Sequence, residues 1–145
     1  MSPVDRARLP LPGPDAAFTF PVAGRHRLSN GLALSTVKRP GLPMVSLALL
    51  LPAGSAGDPE NAPGLASMTA DMLDEGSGGR SAIEMQEALA RIGAELDTET
   101  GPDSVVLSLS LLDRFVPQGL RILSDIVVRP RLGAADFERV RTLRI

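Results

Sequence analysis

Cysteine is missing from this chain of 145 residues, so disulfides, thiolate metal sites and cysteine nucleophiles are all excluded. Histidine occurs only once, as His26, and no second His or Cys is available to complete a metal site with it. The formal net charge is only −2 and no run of like charge is present. The composition therefore predicts neither a nucleic-acid partner nor an anionic membrane surface as partner.

Long apolar runs are also absent. The longest, Met44 to Leu51, has the length of a strand, well below the roughly 20 residues that a spanning helix needs. Near the N-terminus, prolines interrupt the segment 9–14 where a signal peptide would need an apolar core. We predict no membrane span and no signal peptide, while the compartment stays undetermined. We interpret residues 1–23 as a Pro-rich leader or linker and residues 24–145 as the folded part.

The folded part is predicted to begin with a β-hairpin. Asn30-Gly31 lies between two β-compatible runs at 25–28 and 32–37, and Asn-Gly in that setting is a strong signal for a tight turn. The next run, Met44 to Leu51, is apolar on both faces. That pattern predicts a central strand deep in a sheet.

Further along the chain the periodicity alternates between helix and strand. Alternation with period two predicts strands at 94–100 and 105–111, and helical spacing predicts helices at about 63–73, 81–93, 113–130 and 134–145. Strands and helices thus follow one another in pairs instead of alternating singly. We therefore predict an α+β fold, in which helices cover a largely antiparallel sheet.

Several short motifs together resemble a known family. They are Leu28-Ser29-Asn30-Gly31-Leu32, Ala53-Gly54-Ser55, Gly64-Leu65-Ala66, Met72-Leu73, Gly76-Ser77, Arg80-Ser81 and Gly93-Ala94. Their order and approximate spacing are similar to those of the pitrilysin and insulinase zinc metallopeptidases, which include the processing peptidases. The resemblance covers residues 24–145 and implies the N-terminal portion of a peptidase domain that is longer than this chain.

The resemblance implies that the chemistry of active relatives lies on the helix that opens with Gly-Leu-Ala, in an inverted H-x-x-E-H motif. In that motif two His bind one zinc ion and the Glu activates its water. The corresponding positions here are Ser67, Ala70 and Asp71, so both His and the Glu are replaced. The family's third ligand, a Glu, is expected at about the point of Arg144-Ile145. We predict no catalytic residue, no metal ligand set and no zinc cofactor in this chain.

Two other features of the sequence are candidate sites. Asp71, Asp74 and Glu75 share a helix face, which could attract a cation or a basic partner, or could be a solvated acidic face; we expect an arginine to meet it. The glycine-rich segment 76–81 could bind phosphate, but it lacks the Lys-Ser/Thr ending of a P-loop. We interpret that segment as a helix end followed by a connector.

The strand predicted after the second helix carries a further implication of the resemblance. In active relatives the corresponding strand pairs with an extended substrate, which implies peptide binding by strand addition here at Leu96, Asp97, Thr98 and Thr100. Asp97 departs from the Asn usual in the family. An ordinary sheet strand without a ligand is the alternative.

Two functions of different classes follow from these expectations. The first is a non-catalytic member or half of such a peptidase, which supports formation of the chamber and peptide binding beside an active subunit or sister domain. The second is a fragment of a zinc metalloendopeptidase whose active motif lies elsewhere in the full polypeptide. A truncated product without function is a third possibility. In each case this chain alone is predicted to be inactive.

Overall fold

The computed structural model describes Gly13 and residues 17–144, and its contacts divide the chain into two units, Met1–Leu42 and Pro43–Ile145. In the first unit, β1 (Gly24–Arg27) and β2 (Ala33–Thr36) form the predicted antiparallel hairpin. Residues 17–23 form neither helix nor strand, and most of the predicted leader, residues 1–12 and 14–16, lies outside the described residues.

The hairpin turn uses the chemistry expected of Asn-Gly. The Asn30 side-chain oxygen accepts a hydrogen bond of 3.1 Å from the Leu32 N–H. Gly31 has φ +88°, a left-handed conformation that a residue without a Cβ adopts at little cost. The predicted turn is therefore confirmed.

The second unit contains a three-stranded antiparallel sheet. Its strands are β3 (Met44–Leu51), β4 (Glu95–Thr100) and β5 (Val105–Leu112), in the order β3-β5-β4. Alternate residues of β5, including Leu107 and Leu109, are completely buried. The centre of the core is therefore β5.

The prediction that Met44–Leu51 is the central strand is wrong. Among the described residues β3 pairs only with β5, and its residues alternate between exposed and half-buried. Met44 and Leu50 are 55% and 61% exposed. An unbroken apolar run indicates that a strand could be buried on both faces. In this structure, however, helices cover only one face of the sheet, so the other face of β3 is exposed.

Four helices complete the second unit: α1 (Leu65–Met72), α2 (Ala82–Arg91), α3 (Val116–Val128) and α4 (Ala134–Leu143). The apolar faces of α1, α2 and α3 pack with one face of the sheet into a single core, which includes Met85, Leu89, Ile122 and Ile126, and α4 packs against α1. The α+β fold with an antiparallel sheet covered by helices is confirmed. Within the part of the chain that the structure describes, no helix has both the length and the apolar character that crossing a membrane requires.

Helix α2 begins with a capping box. The Ser81 hydroxyl accepts from the Glu84 N–H, and the Glu84 carboxylate accepts from the Ser81 N–H at 2.8 Å. Asp113, in contrast, does not cap α3. Its carboxylate accepts from the neighbouring Arg114 N–H, and α3 begins after a short 3₁₀ turn instead.

The glycine-rich connector between α1 and α2 is tied to the end of α3. The Gly78 N–H donates to the Arg129 carbonyl at 3.0 Å, and the Arg131 N–H donates to the Gly76 carbonyl at 2.8 Å. Gly78 has φ +57°, and a Cβ there would lie 2.3 Å from a carboxylate oxygen of Asp125. These backbone bonds support the interpretation of the segment as a connector.

Candidate functional site

Helix α1, which carries the three substituted motif positions, is anchored at its N-terminus by a carboxylate. Its N-cap is Gly64 with φ +87°, a residue without a side chain to accept the first free N–H groups. Asp58 supplies the acceptors instead, taking hydrogen bonds of 2.7 Å from Gly64 N–H and 2.8 Å from Ala66 N–H. A carboxylate there also complements the positive end of the helix dipole. Sequence reasoning missed this cap because Asp58 lies six residues before the helix.

The three motif positions point to two different environments. Ser67 and Asp71 are half-buried and lie four residues apart, so their side chains share one face of α1. Ala70 is only 3% exposed and belongs to the apolar core of the sheet and helices. The structure therefore brings Ser67 and Asp71 together on one face of α1, whereas Ala70 is packed in the core.

The side chains of Ser67 and Asp71 both bind the same cation, the guanidinium of Arg144 directly after α4. Its Nη2 donates to the Ser67 hydroxyl at 2.8 Å and, more weakly, to the Ser67 carbonyl at 3.4 Å. Its Nε donates to Asp71 Oδ2 at 2.5 Å, and Nη2 also pairs with this oxygen. Arg144 was not among the predicted site residues, although an arginine was expected against this acidic face.

A second ion pair lies beside the first. Arg139 of α4 pairs with Glu75, which follows α1 and whose side chain is only 12% exposed. The remaining acid, Asp74, has no ion pair within the described residues. Partial burial, and then the neighbouring carboxylates of Glu75 and Asp71, raise the pKa of Asp74 above its ordinary value. The predicted acidic face is thus met by two arginines of the same chain, with one carboxylate left over.

A cleft of about 310 Å³ reaches from α1 and α4 to strand β4, and its lining includes Asp71, Asp74, Glu75 and Arg144 together with Ala70. Leu96, Asp97 and Thr98 form its wall on the strand side, whereas Thr100 lies outside it. Two of the three substituted motif positions, Ala70 and Asp71, and most of the predicted peptide-binding residues therefore line one cleft.

Strand β4 also has an unpaired edge within the described residues, because it pairs only with β5. The Gly101 N–H donates to the Ser104 carbonyl at 2.8 Å, which makes these two residues a hydrogen-bonded pair at the end of the ladder. Because hydrogen-bonded and non-hydrogen-bonded pairs alternate along an antiparallel ladder, the backbone N–H and C=O of Leu96, Thr98 and Thr100 point away from β5. The backbone N–H and C=O of Asp97, in contrast, point towards its partner Ser108 on β5.

Comparison with known proteins identifies the group to which this fold and this site belong. The family model described as "Insulinase (Peptidase family M16)" matches residues 34–144. The chain belongs to the insulinase family. Among curated members, the mitochondrial-processing peptidase subunit beta of Mus musculus is 28% identical over 137 residues. An uncharacterized zinc protease of Mycobacterium bovis is 25% identical over 114 residues.

The insulinase-family relatives are much longer than this chain. The matches cover 94% of this chain and 28% of the mouse protein, and 79% of this chain and 26% of the mycobacterial one. Among solved structures, a peptidase M16 inactive domain from Pseudomonas fluorescens superposes with a TM-score of 0.77 and 28% identity, covering 83% of this chain and 30% of that one. A Helicobacter pylori protease, with a TM-score of 0.77 at 18% identity, supports the fold alone.

The zinc ion of active insulinase-family peptidases does not fit the residues found here. Ser67 offers a hydroxyl that would have to lose a proton of high pKa, Ala70 offers no base, and Asp71 is already paired with a guanidinium. A cation within bonding distance of both Ser67 and Asp71 would also repel a second one. No group of three or more His, Cys, Asp or Glu able to bind a metal occurs among Gly13 and residues 17–144.

Proposed function

We propose that this chain is a non-catalytic part of an insulinase-family peptidase that binds extended peptide along β4 and supports the chamber beside an active subunit or sister domain. The observation that carries the proposal is a retained scaffold around a motif without zinc chemistry. Ser67 and Asp71 bind an arginine, and Ala70 is packed in the core. In this proposal residues 24–145 are the N-terminal portion of a longer peptidase domain.

The open edge of β4 supports the peptide-binding part of the proposal. An extended peptide that added to this edge could exchange backbone hydrogen bonds with Leu96, Thr98 and Thr100. The adjoining cleft would accept side chains of the peptide beside Asp74 and Leu143. Binding of this kind gives affinity through the backbone and needs no metal.

Peptide titration of the isotope-labelled chain tests strand addition directly. We expect amide shifts centred on Leu96 to Thr100, and unchanged amide shifts there at saturating peptide would contradict the proposal. Thr98→Pro removes an N–H that points away from β5, so it should abolish binding and leave the ladder with β5 intact. Thr98→Val is the matched control, because it changes the side chain, keeps the N–H and should retain binding.

The supporting role beside an active partner needs a second measurement. Mixed with an active family subunit that carries H-x-x-E-H, the chain in its full polypeptide should form a complex on sedimentation and increase peptide hydrolysis. Alone, it should show no zinc-dependent hydrolysis. Hydrolysis by the chain alone, dependent on added zinc, would contradict the proposal.

A second candidate is that these residues belong to a zinc metalloendopeptidase whose active motif lies elsewhere in the same polypeptide. The observation that favours it is length, because the chain spans 28% of the mouse relative. Sequencing the reading frame around this coding sequence distinguishes the two candidate functions. An intact H-x-x-E-H in the same frame supports the second candidate, and one in a neighbouring gene supports the first.

A further inference from the structure

The strongest unexplained feature of the site is the convergence of two former ligand positions on one guanidinium. Ser67 and Asp71 lie at the i and i+4 spacing that brings two ligands of the inverted motif to one metal ion. Here the same spacing brings a hydroxyl and a carboxylate to Arg144, at 2.8 Å and 2.5 Å. The position still binds a cation, but that cation is covalently part of the chain.

The guanidinium of Arg144 also connects helix α1 to the end of helix α4. Asp71 lies on α1, whereas Arg144 directly follows α4. Arg139 of α4 and Glu75, just after α1, form a second connection, and Val140, the next residue of α4, is only 7% exposed. Both arginines therefore join α4 to the helix that carries the substituted motif.

We propose that Arg144 substitutes for a metal ion as the cation that cross-links α1 to α4, and that its charge keeps divalent metal out of this position. The fork of the guanidinium suits the task, since one edge can donate to both a hydroxyl and a carboxylate. The proposal goes beyond the proposed function, and its tests use no peptide and no hydrolysis, so the two can fail independently.

A double-mutant cycle on Asp71→Asn and Arg144→Gln tests the cross-link. The readout is hydrogen-exchange protection of the Val140 amide, which reports on the docking of α4. We expect each single variant to lose about two- to tenfold in protection, and the double variant to lose no more than one of them. Arg144→Lys, which keeps the charge without the fork, should recover part of the loss. Fully additive losses would overturn the proposal.

The exposed pair Arg141 and Glu138 on the same helix is the matched control for this cycle. Both residues belong to α4, so their contact does not connect two helices. Glu138→Gln with Arg141→Gln should therefore leave Val140 protection unchanged within about twofold. An equal loss in the control cycle would mean that any charge change on α4 loosens it, and would also overturn the proposal.

Metal exchange tests the second half of the proposal. Ser67→His with Asp71→His restores two ligands, and Arg144→Glu then offers a carboxylate where the guanidinium lies. We expect zinc to bind this triple variant at least about tenfold more tightly than the variant that keeps Arg144, and to restore Val140 protection. Ser67→His, Asp71→His and Arg144→Gln should give an intermediate affinity, because charge repulsion alone is removed. Equal zinc affinity with and without Arg144 would overturn the exclusion of metal.

Discussion

At the scale of single residues, the three substituted motif positions are not equivalent. Ser67 and Asp71 are accessible to a charged side chain, and both bind Arg144. Ala70, in contrast, is buried in the core that includes Leu73 and Val105. Packing therefore opposes the return of the general base more strongly than it opposes the return of the ligands.

Ala70→Glu should therefore destabilise the fold, whereas Thr69→Glu, one position earlier on the exposed side of α1, should not. An ionised carboxylate in the core without a partner costs several kcal/mol, so we expect a loss of about 2 kcal/mol or more at position 70 and less than about 0.5 kcal/mol at position 69. Urea unfolding followed by circular dichroism measures both. Equal stability of the two variants would show that Ala70 can turn outward.

Asp74 is the acid of this face without an ion pair in the described residues, and its raised pKa makes a second prediction at this scale. A carboxyl whose pKa is higher in the folded than in the unfolded state destabilises the fold above the folded pKa. That penalty disappears as the pH falls below the ordinary value of 3.8. Asp74→Asn should thus stabilise the protein at about pH 7 and lose this advantage near about pH 3.

Glu60→Gln is the matched control for Asp74→Asn, because Glu60 is an exposed carboxylate on the loop before α1. It should leave the urea midpoint unchanged at both pH values. A loss of stability in Asp74→Asn at neutral pH would mean that Asp74 accepts a hydrogen bond that matters more than its desolvation.

At the scale of elements, β5 and β3 show where sequence patterns are sufficient and where they are not. The sequence patterns predict the described strands and α-helices in the right order, because these elements have a clear period, but they do not predict the short 3₁₀ turns at Ser55–Gly57 and Asp113–Phe115. The patterns do not predict which strand is central, because β3 is more uniformly apolar than β5 but lies at the edge of the sheet. Pattern reports what a strand can bury, and pairing decides what it does bury.

Two leucines on paired strands test this arrangement. Leu109 of β5 is fully buried, and Leu50 of β3 is 61% exposed. Leu109→Ala should cost about 2–5 kcal/mol of unfolding free energy through the transferred surface and the cavity left behind, and Leu50→Ala less than about 1 kcal/mol. Chemical denaturation of both variants measures the difference. A cost at Leu50 that equals the cost at Leu109 would mean that another part of the full polypeptide covers β3.

The site is predictable only in part from the sequence, because one of its contacts depends on how two helices pack. Ser67, Ala70 and Asp71 could be found because they are local to one helix. Arg144 is 73 residues from Asp71, and its contact depends on how α4 packs against α1. The acidic face indicated that a basic residue should be near, but no local pattern distinguishes Arg144 from the other arginines of the chain.

At the scale of the whole molecule, the two units differ in how much they bury. In the second unit, strands and helices share one core around β5. In the first, the residues of β1 and β2 are almost all exposed, and Leu28, Leu32 and Leu34 each keep at least 40% of their surface. A two-stranded hairpin without a core of its own is at most marginally stable in water.

Hydrogen exchange should therefore separate the units. Amides of β1 and β2 are expected to exchange through local opening at little free-energy cost, whereas amides of β5 should exchange only with global unfolding. In low concentrations of urea, protection in β5 should fall with the slope of global unfolding, and protection in the hairpin should barely change, because local opening exposes little new surface. If the hairpin instead matches β5 in both protection and slope, its backbone must be stabilised by contacts outside the first unit.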